Sequence, residues 1–374
     1  ELPVHVLGYV GGVSEADLND PSKGFYRNEN VGKSGLEAVY DKYLRGTPGV
    51  KTVIVDRKES VTQTSENTKP VAGDNLVTNI SAPLQAATEK ALDRAVHNSR
   101  SMGYKADSGA AIVLNVKTGA VLAMASWPTY DPNMFQKGLT VQQAKDLFSD
   151  ATGVPALSRA IQGTYAPAST FKALSVVAAS KAGYSMNASY KCPSTVQIGN
   201  RVFKNFEAKN EGTINMETAI AVSCDTIWYQ IAYDQWVRDG GLTPKSHLND
   251  YFFNNAKNFG VGSRTGIDLP DEAAGRLPNR DWKLNYWKAN KNFFCDYQNR
   301  AQKKDLTAYL IAIAKENCID GYMLRAGDAV NFSIGQGDTL VSPLQLATMY
   351  AAIANGGTLY KPEVARAIVT PVGK

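Results

Sequence analysis

Ser169-Thr170-Phe171-Lys172 places a hydroxyl and an amine three residues apart. On a helix, positions i and i+3 share a face, so Lys172 can reach the Ser169 hydroxyl. A serine hydroxyl becomes a nucleophile only when a base takes its proton. An ammonium cannot do that, so the chemistry needs Lys172 in a desolvated pocket with its pKa lowered. Leu174, Val176 and Val177 make the following turns apolar enough to supply such a pocket. Pro167 and Ala168 bring the chain tightly into this helix, whose N-terminus adds partial positive charge and free N–H groups beside the hydroxyl. A bare S-x-x-K occurs often by chance, and by itself it reads as a capping serine and a surface lysine. What lifts it is Ser223-Cys224-Asp225, a polar interruption of the apolar stretch from Ala219 to Tyr229. Buried polar groups need partners, and Ser223 and Asp225 can meet Ser169 and Lys172 across a cleft.

Other chemistries fall away. Gly32-Lys33-Ser34 matches the end of a phosphate-binding loop, but Arg27 stands where the first glycine is required. No Cys-x-x-Cys occurs and no Cys/His cluster has zinc spacing, so neither a metal nor a cofactor is expected. His5, His97 and His247 are isolated along the chain. The 374 residues suit two or three domains, and 44% hydrophobic with 20% charged residues excludes a disordered or fibrous chain. A net charge of +5 is too dilute to argue for nucleic acid. No apolar run is long enough to span a bilayer. The chain opens at Glu1-Leu2-Pro3 without Met, which we read as a processed or trimmed fragment.

The elements that must position these residues follow from patterning. Val4 to Val10 reads as a short strand ended by Gly11-Gly12. Ser34 to Leu44 reads as a helix, with Ser34 and Glu37 as a capping box and Gly46 as its stop. Val50 to Arg57 is a β-branched strand, and Asp56-Arg57-Lys58-Glu59 is its turn. The polar stretch from Thr62 to Asn75 is a linker or exposed hairpin and the best domain boundary. Ser81-Ala82-Pro83 opens a helix through about Val96. Ala110 to Val116 and Ala120 to Ser126 form a hairpin about Lys117-Thr118-Gly119. Phe171 to Ala182, Met216 to Tyr233 and Pro343 to Asn355 are helical. Strands, then helices, then strands point to an α+β fold, with helices packed against an antiparallel sheet.

Tyr165-Ala166-Pro167-Ala168-Ser169-Thr170-Phe171-Lys172 followed by Ser223-Cys224-Asp225 resembles the first two motifs of penicillin-binding proteins and serine β-lactamases. Gly32 to Gly46 looks like the N-terminal domain motif of class B penicillin-binding proteins. Ala125 to Asn133 looks like the segment after the first hairpin of their transpeptidase domain. Phe332-Ser333-Ile334-Gly335-Gln336-Gly337 and Ser342-Pro343-Leu344-Gln345-Leu346-Ala347 are similar to the stretch before their third motif. The order of motifs is right over nearly the whole chain. Two positions depart from the common pattern. Asp225 stands where Asn is usual, as in the elongation-type members, and Ala168 stands where Gly is common.

The resemblance implies a β-lactamase-like transpeptidase domain over 75–374, preceded by part of a smaller, mostly β, non-catalytic domain over 1–74. It implies a D,D-transpeptidase that cross-links peptidoglycan peptide stems during cell-wall elongation and is blocked by β-lactams. Ser169 would be the nucleophile, Lys172 the general base, Ser223 the proton relay and Asp225 the positioning group, with the Ser169 N–H as half of the oxyanion hole. A hydrolytic carboxypeptidase or β-lactamase, a β-lactam sensor and a non-catalytic scaffold are the competing readings. It further implies an anchor before Glu1, an extracytoplasmic location on the bacterial cell membrane, and a partner of the RodA glycosyltransferase type. The third motif, K-[TS]-G, is not at its family place, since the chain ends at Thr370-Pro371-Val372-Gly373-Lys374. It is expected beyond Lys374, which leaves open whether the chain is active alone. Residues 285–322 look like an insertion. Its Cys295 and Cys318 either form a disulfide, as an oxidising envelope permits, or stay as two buried thiols. Cys192 and Cys224 are expected to stay free.

Overall fold

The computed structural model describes residues 3–20, 24–58, 60–136, 138–302 and 307–371. The chain divides into two units, one comprising Glu1–Thr164, Arg264–Ala273 and Ser342–Lys374, the other Tyr165–Ser263 and Ala274–Val341. Among the described residues the strands form six two-stranded sheets, each antiparallel.

In the first unit the helix Ala82–Ser101 lies against the hairpin Gly109–Leu114 and Val121–Trp127. Its N-terminal Pro needs no hydrogen bond there. The helix runs five residues past the expected end. Gln85 is buried on it and exchanges two hydrogen bonds with the Met124 backbone, accepting from N at 2.8 Å and donating to O at 2.9 Å. Lys117-Thr118-Gly119 spells K-T-G but forms the turn of this hairpin, closed by the Gly119 N–H donating to Asn115 O. The helix Pro343–Ala354 begins with a capping box between Ser342 and Gln345. Its Leu344 joins Val6, Leu36, Val121, Met124, Ile161 and Val364 in one core. Asn75–Thr78 pairs with Ala365–Val369. Val50–Val55 and Val61–Thr68 form a long exposed hairpin. Of its expected turn, Glu59 lies outside the described residues.

Two expectations at the N-terminal end are corrected. Val4–Leu7 is a single helical turn rather than a strand, and the strand is Val10–Gly12. Val4 and Val6 are both buried there, and a run this short carries no period of its own. The expected helix from Ser34 is two short pieces, Gly35–Val39 and Asp41–Leu44, and Ser34 makes no side-chain cap. Asp41 instead accepts from the Gly32 N–H at 2.8 Å, which holds the strand end against the second piece. Lys33 pairs with Asp17 at 2.8 Å and takes part in no phosphate loop.

In the second unit the apolar helix Lys172–Lys181 packs on Thr226–Arg238 and Tyr251–Asn258. Ala326–Ser333 covers Thr226–Arg238, and Phe332 meets Phe171 edge to face at 5.3 Å. Trp228, Phe171, Leu174 and Met216 fill this interior. The stretch from Met216 to Tyr233 is not one helix. It breaks into Met216–Ala221 and Thr226–Arg238, with Ser223 at φ 56° between them. The 285–322 segment is built from Arg280–Cys295, Tyr297–Gln302 and Ala308–Asp320, and residues 303–306 lie outside the described residues. Cys295 and Cys318 are bonded there, with S–S 2.05 Å.

Candidate active site

Ser169 sits in a one-turn 3-10 helix, Ala168–Phe171, that runs directly into Lys172–Lys181. The turn is fixed from outside: the Ala168 N–H donates to Gly335 O at 2.9 Å. Gly335 has φ +68°, and a Cβ on it would lie 2.5 Å from Phe171 Cβ and 2.6 Å from Ala168 O. Only glycine permits that approach, which is the physical content of the Ser333-Ile334-Gly335-Gln336-Gly337 run. Ala168 itself has φ 50°, the left-handed region that favours glycine. Ser175 adds a buried bond from its hydroxyl to Ser333 O.

Lys172 is 1% exposed. Its Nζ donates to Ser223 O at 2.8 Å and to Ser223 Oγ at 3.0 Å, and lies 2.5 Å from Asp225 Oδ1. Ser223 Oγ in turn lies 3.0 Å from the exposed Ser169 Oγ. The four residues form one connected chain: Ser169, Ser223, Lys172, Asp225. Burial lowers the Lys172 pKa below its ordinary value of 10.5, while the hydrogen bond and charge of Asp225 pull it back up; the net direction is down. A hydroxyl has two lone pairs and one proton, so Ser223 can pass a proton either way along this line.

The break in the helix is what presents Ser223. With Ser223 at positive φ, its side chain leaves the helix surface and Thr226–Arg238 starts afresh behind it. Asp225 is buried, and its Oδ2 also accepts from the Phe206 N–H at 3.3 Å. An open cleft of about 590 Å³ runs past Ser169 and Ser223, edged by Phe206, Glu207, Lys209 and Gln336.

Two features beside this site were not anticipated. Cys192 and Cys224, expected to be free, are joined, and both are buried. Four cysteines allow three pairings, so sequence could not choose this one. Asn205, 4% exposed, bonds the backbone of Asp225 and Thr226. A single Asn in a polar loop carries no sequence signal. The histidines stay apart from catalytic groups: His5 bonds Pro155 O, His97 the Asp93 carbonyl, and His247 is exposed. Among the described residues no His/Cys/Asp/Glu group is arranged to hold a metal, and no helix is long and apolar enough to cross a membrane.

The comparisons agree with one another. Residues 109–373 match the penicillin binding protein transpeptidase domain, and residues 1–78 match the penicillin-binding protein dimerisation domain. The peptidoglycan D,D-transpeptidase MrdA of Acinetobacter baumannii is 28% identical over 98% of this chain and 47% of its own. That of Haemophilus influenzae is 29% identical over 98% and 49%. The chain thus spans about half the length of the curated relatives it matches. Among solved structures, a protein of a peptidoglycan synthase complex that coordinates polymerization and crosslinking superposes with TM-score 0.73 at 30% identity, over 98% of this chain and 56% of that one. Pseudomonas aeruginosa PBP2, in complex with WCK 5153, gives 0.68 at 26% identity, over 98% and 66%.

Proposed function

As this chain belongs to the penicillin-binding protein transpeptidase family, we propose that it carries the acyl-transfer site of an elongation-type peptidoglycan D,D-transpeptidase. The observation that carries the reading is the unbroken line from the exposed Ser169 hydroxyl through Ser223 to a buried Lys172 held by Asp225. Burial leaves Lys172 easier to deprotonate than a surface lysine, as a base requires.

The steps follow from that line. Ser169 Oγ attacks the carbonyl of a D-Ala-D-Ala peptide bond as its proton moves to Lys172, with Ser223 Oγ within 3.0 Å of both groups as the relay. The developing oxyanion takes a hydrogen bond from the Ser169 N–H. The proton returns through Ser223 to the departing D-alanine amine. The amine of a second stem then attacks the ester, restores Ser169 and leaves a cross-link. Asp225 fixes the Lys172 ammonium when it forms.

Residues 1–74 we assign to the non-catalytic domain, supported by the dimerisation-domain match; residues 75–374 we assign to the transpeptidase domain. By the same reading the protein is membrane-anchored with this chain outside the cytoplasm, and it works with a RodA-type glycosyltransferase. The similarity to a protein of a complex that both polymerises and cross-links supports that partner. Incubating the full-length protein with a fluorescent penicillin tests the reading. Wild type should form a stable ester that Ser169→Ala abolishes, and labelling that survives in Ser169→Ala would refute it.

A further inference from the structure

We propose that Asn205, together with the Cys192–Cys224 disulfide, positions the second motif for acyl transfer, so that Asn205 sets the reaction rate without touching substrate. The inference rests on the acyl-transfer reading above and adds to it Asn205 and Cys192, which lie outside the motifs.

Cys224 lies between Ser223 and Asp225. Its sulfur is bonded to Cys192, at the end of the short strand Tyr190–Cys192. The motif is therefore tied covalently, at its central residue, to a strand that carries none of the reacting groups. Asn205 is the second tie. Its Oδ1 accepts from the Asp225 N–H at 2.8 Å and the Thr226 N–H at 3.0 Å. Its Nδ2 donates to Pro193 O at 3.0 Å and Lys209 O at 2.9 Å, and lies 3.3 Å from Cys192 Sγ. One amide thus joins the first turn of Thr226–Arg238 to Pro193, the residue after the strand, and to Lys209.

The next residue extends the brace to the side chain, since the Phe206 N–H donates to Asp225 Oδ2 at 3.3 Å. Thr226 closes the ring by donating its hydroxyl to Pro193 O at 2.9 Å. The geometry explains why this is needed. Helix breaks leave N–H groups without partners, and here the break also holds Ser223 at positive φ. Asn205 supplies the acceptor for two of those N–H groups. Ser223 itself is held by its N–H on Ile220 O at 3.1 Å and by Lys172 Nζ on its carbonyl, and Asn205 fixes the two residues that lead from it into the next helix.

The test measures how fast, as well as how much, full-length protein is acylated by a fluorescent penicillin. Wild type, Asn205→Ala and Asn205→Asp are compared, with the first-order acylation step separated from initial binding. Hydrogen exchange at residues 225–226 is measured in parallel. A loss of stability reduces the fraction of molecules that label; a loss of position slows each molecule that does. Asn205→Ala should slow the first-order step about tenfold or more with initial binding unchanged, and speed exchange at 225–226. Asn205→Asp, which keeps the acceptor, should retain more of the rate and covers the case in which the alanine variant does not fold. Wild-type rates in the labelled fraction of Asn205→Ala, or unchanged exchange, would overturn the proposal. If wild type itself does not label, the acyl-transfer reading fails instead, and the exchange measurement still decides the brace.

Discussion

The two disulfides close loops of similar length, with separations of 32 residues for Cys192–Cys224 and 23 for Cys295–Cys318, and both belong to the same unit. By loop-closure entropy alone each stabilises the fold by about 3.5 kcal/mol, so the bonds are nearly equal as restraints on the unfolded chain. Their surroundings differ. Cys192 and Cys224 are 0% and 1% exposed, and the second sulfur stands between two residues of the candidate site. Cys295 and Cys318 are only half-buried and join two helices that leave Phe293, Tyr309 and Ile319 exposed. On the proposal above, the comparison separates two uses of one bond: the first holds the candidate reacting groups in place, and the second ties together the helices Arg280–Cys295 and Ala308–Asp320.

Single replacements test that difference most strongly. Cys192→Ala and Cys295→Ala should both lower the melting temperature, each through a loss of about 2–5 kcal/mol. Only Cys192→Ala should slow penicillin acylation, by about tenfold, because a misplaced reacting group costs rate even when the fold survives. Time courses of labelling on the folded fraction read this directly. Equal acylation rates in the two variants would erase the distinction.

A smaller effect isolates charge from position inside the braced motif. Asp225→Asn restores the residue common in the family and keeps an oxygen facing the Phe206 N–H. It removes the anion 2.5 Å from Lys172 Nζ. Asp225 raises the Lys172 pKa against the stronger lowering by burial. Without that anion the ammonium is less stable, so the Lys172 pKa falls further. Acylation needs the neutral amine, and its rate climbs as pH rises through that pKa. The climb should therefore shift to lower pH in Asp225→Asn. A pH–rate profile that stays in place would mean that the limb belongs to another group.

What the sequence shows and what it hides divide along the same line. Motif residues are legible because chemistry restricts their type and the helix restricts their spacing; Ser169 and Lys172 stood out once Ser223-Cys224-Asp225 followed them. The α+β class was legible from periodicity over long elements such as Ala82–Ser101 and Pro343–Ala354. Short elements were not, because Val4–Leu7 spans a single turn and its burial decided its form. The break at Ser223 was hidden for a different reason. The composition from Met216 to Tyr233 favours continuous helix, and the interruption depends on bonds to Asn205 and Cys192, which are distant in the chain. Support of this kind comes from residues whose types are common and whose partners only the fold selects.

The mildest test leaves both cross-links untouched. Asp250 opens the helix Tyr251–Asn258 in the left-handed region, at φ 37° and ψ 51°. Burial, and then the charge of Asp239, raise its pKa from 3.8 to about 6. Between those values the native state holds a proton that the unfolded chain releases, so stability falls as pH rises through this window and stays lower above it. Asp250→Asn removes the ionisation and suits the same backbone, since Asn tolerates left-handed φ well. It should raise the melting temperature at pH 8 by on the order of 2–4 °C and change it little at pH 4. Acylation by penicillin should stay at the wild-type rate, since stability gained away from the brace does not move Ser223. A rate that rises with the melting temperature would instead show that overall rigidity of the unit, and not the local ties at Cys224 and Asn205, sets the geometry of the site.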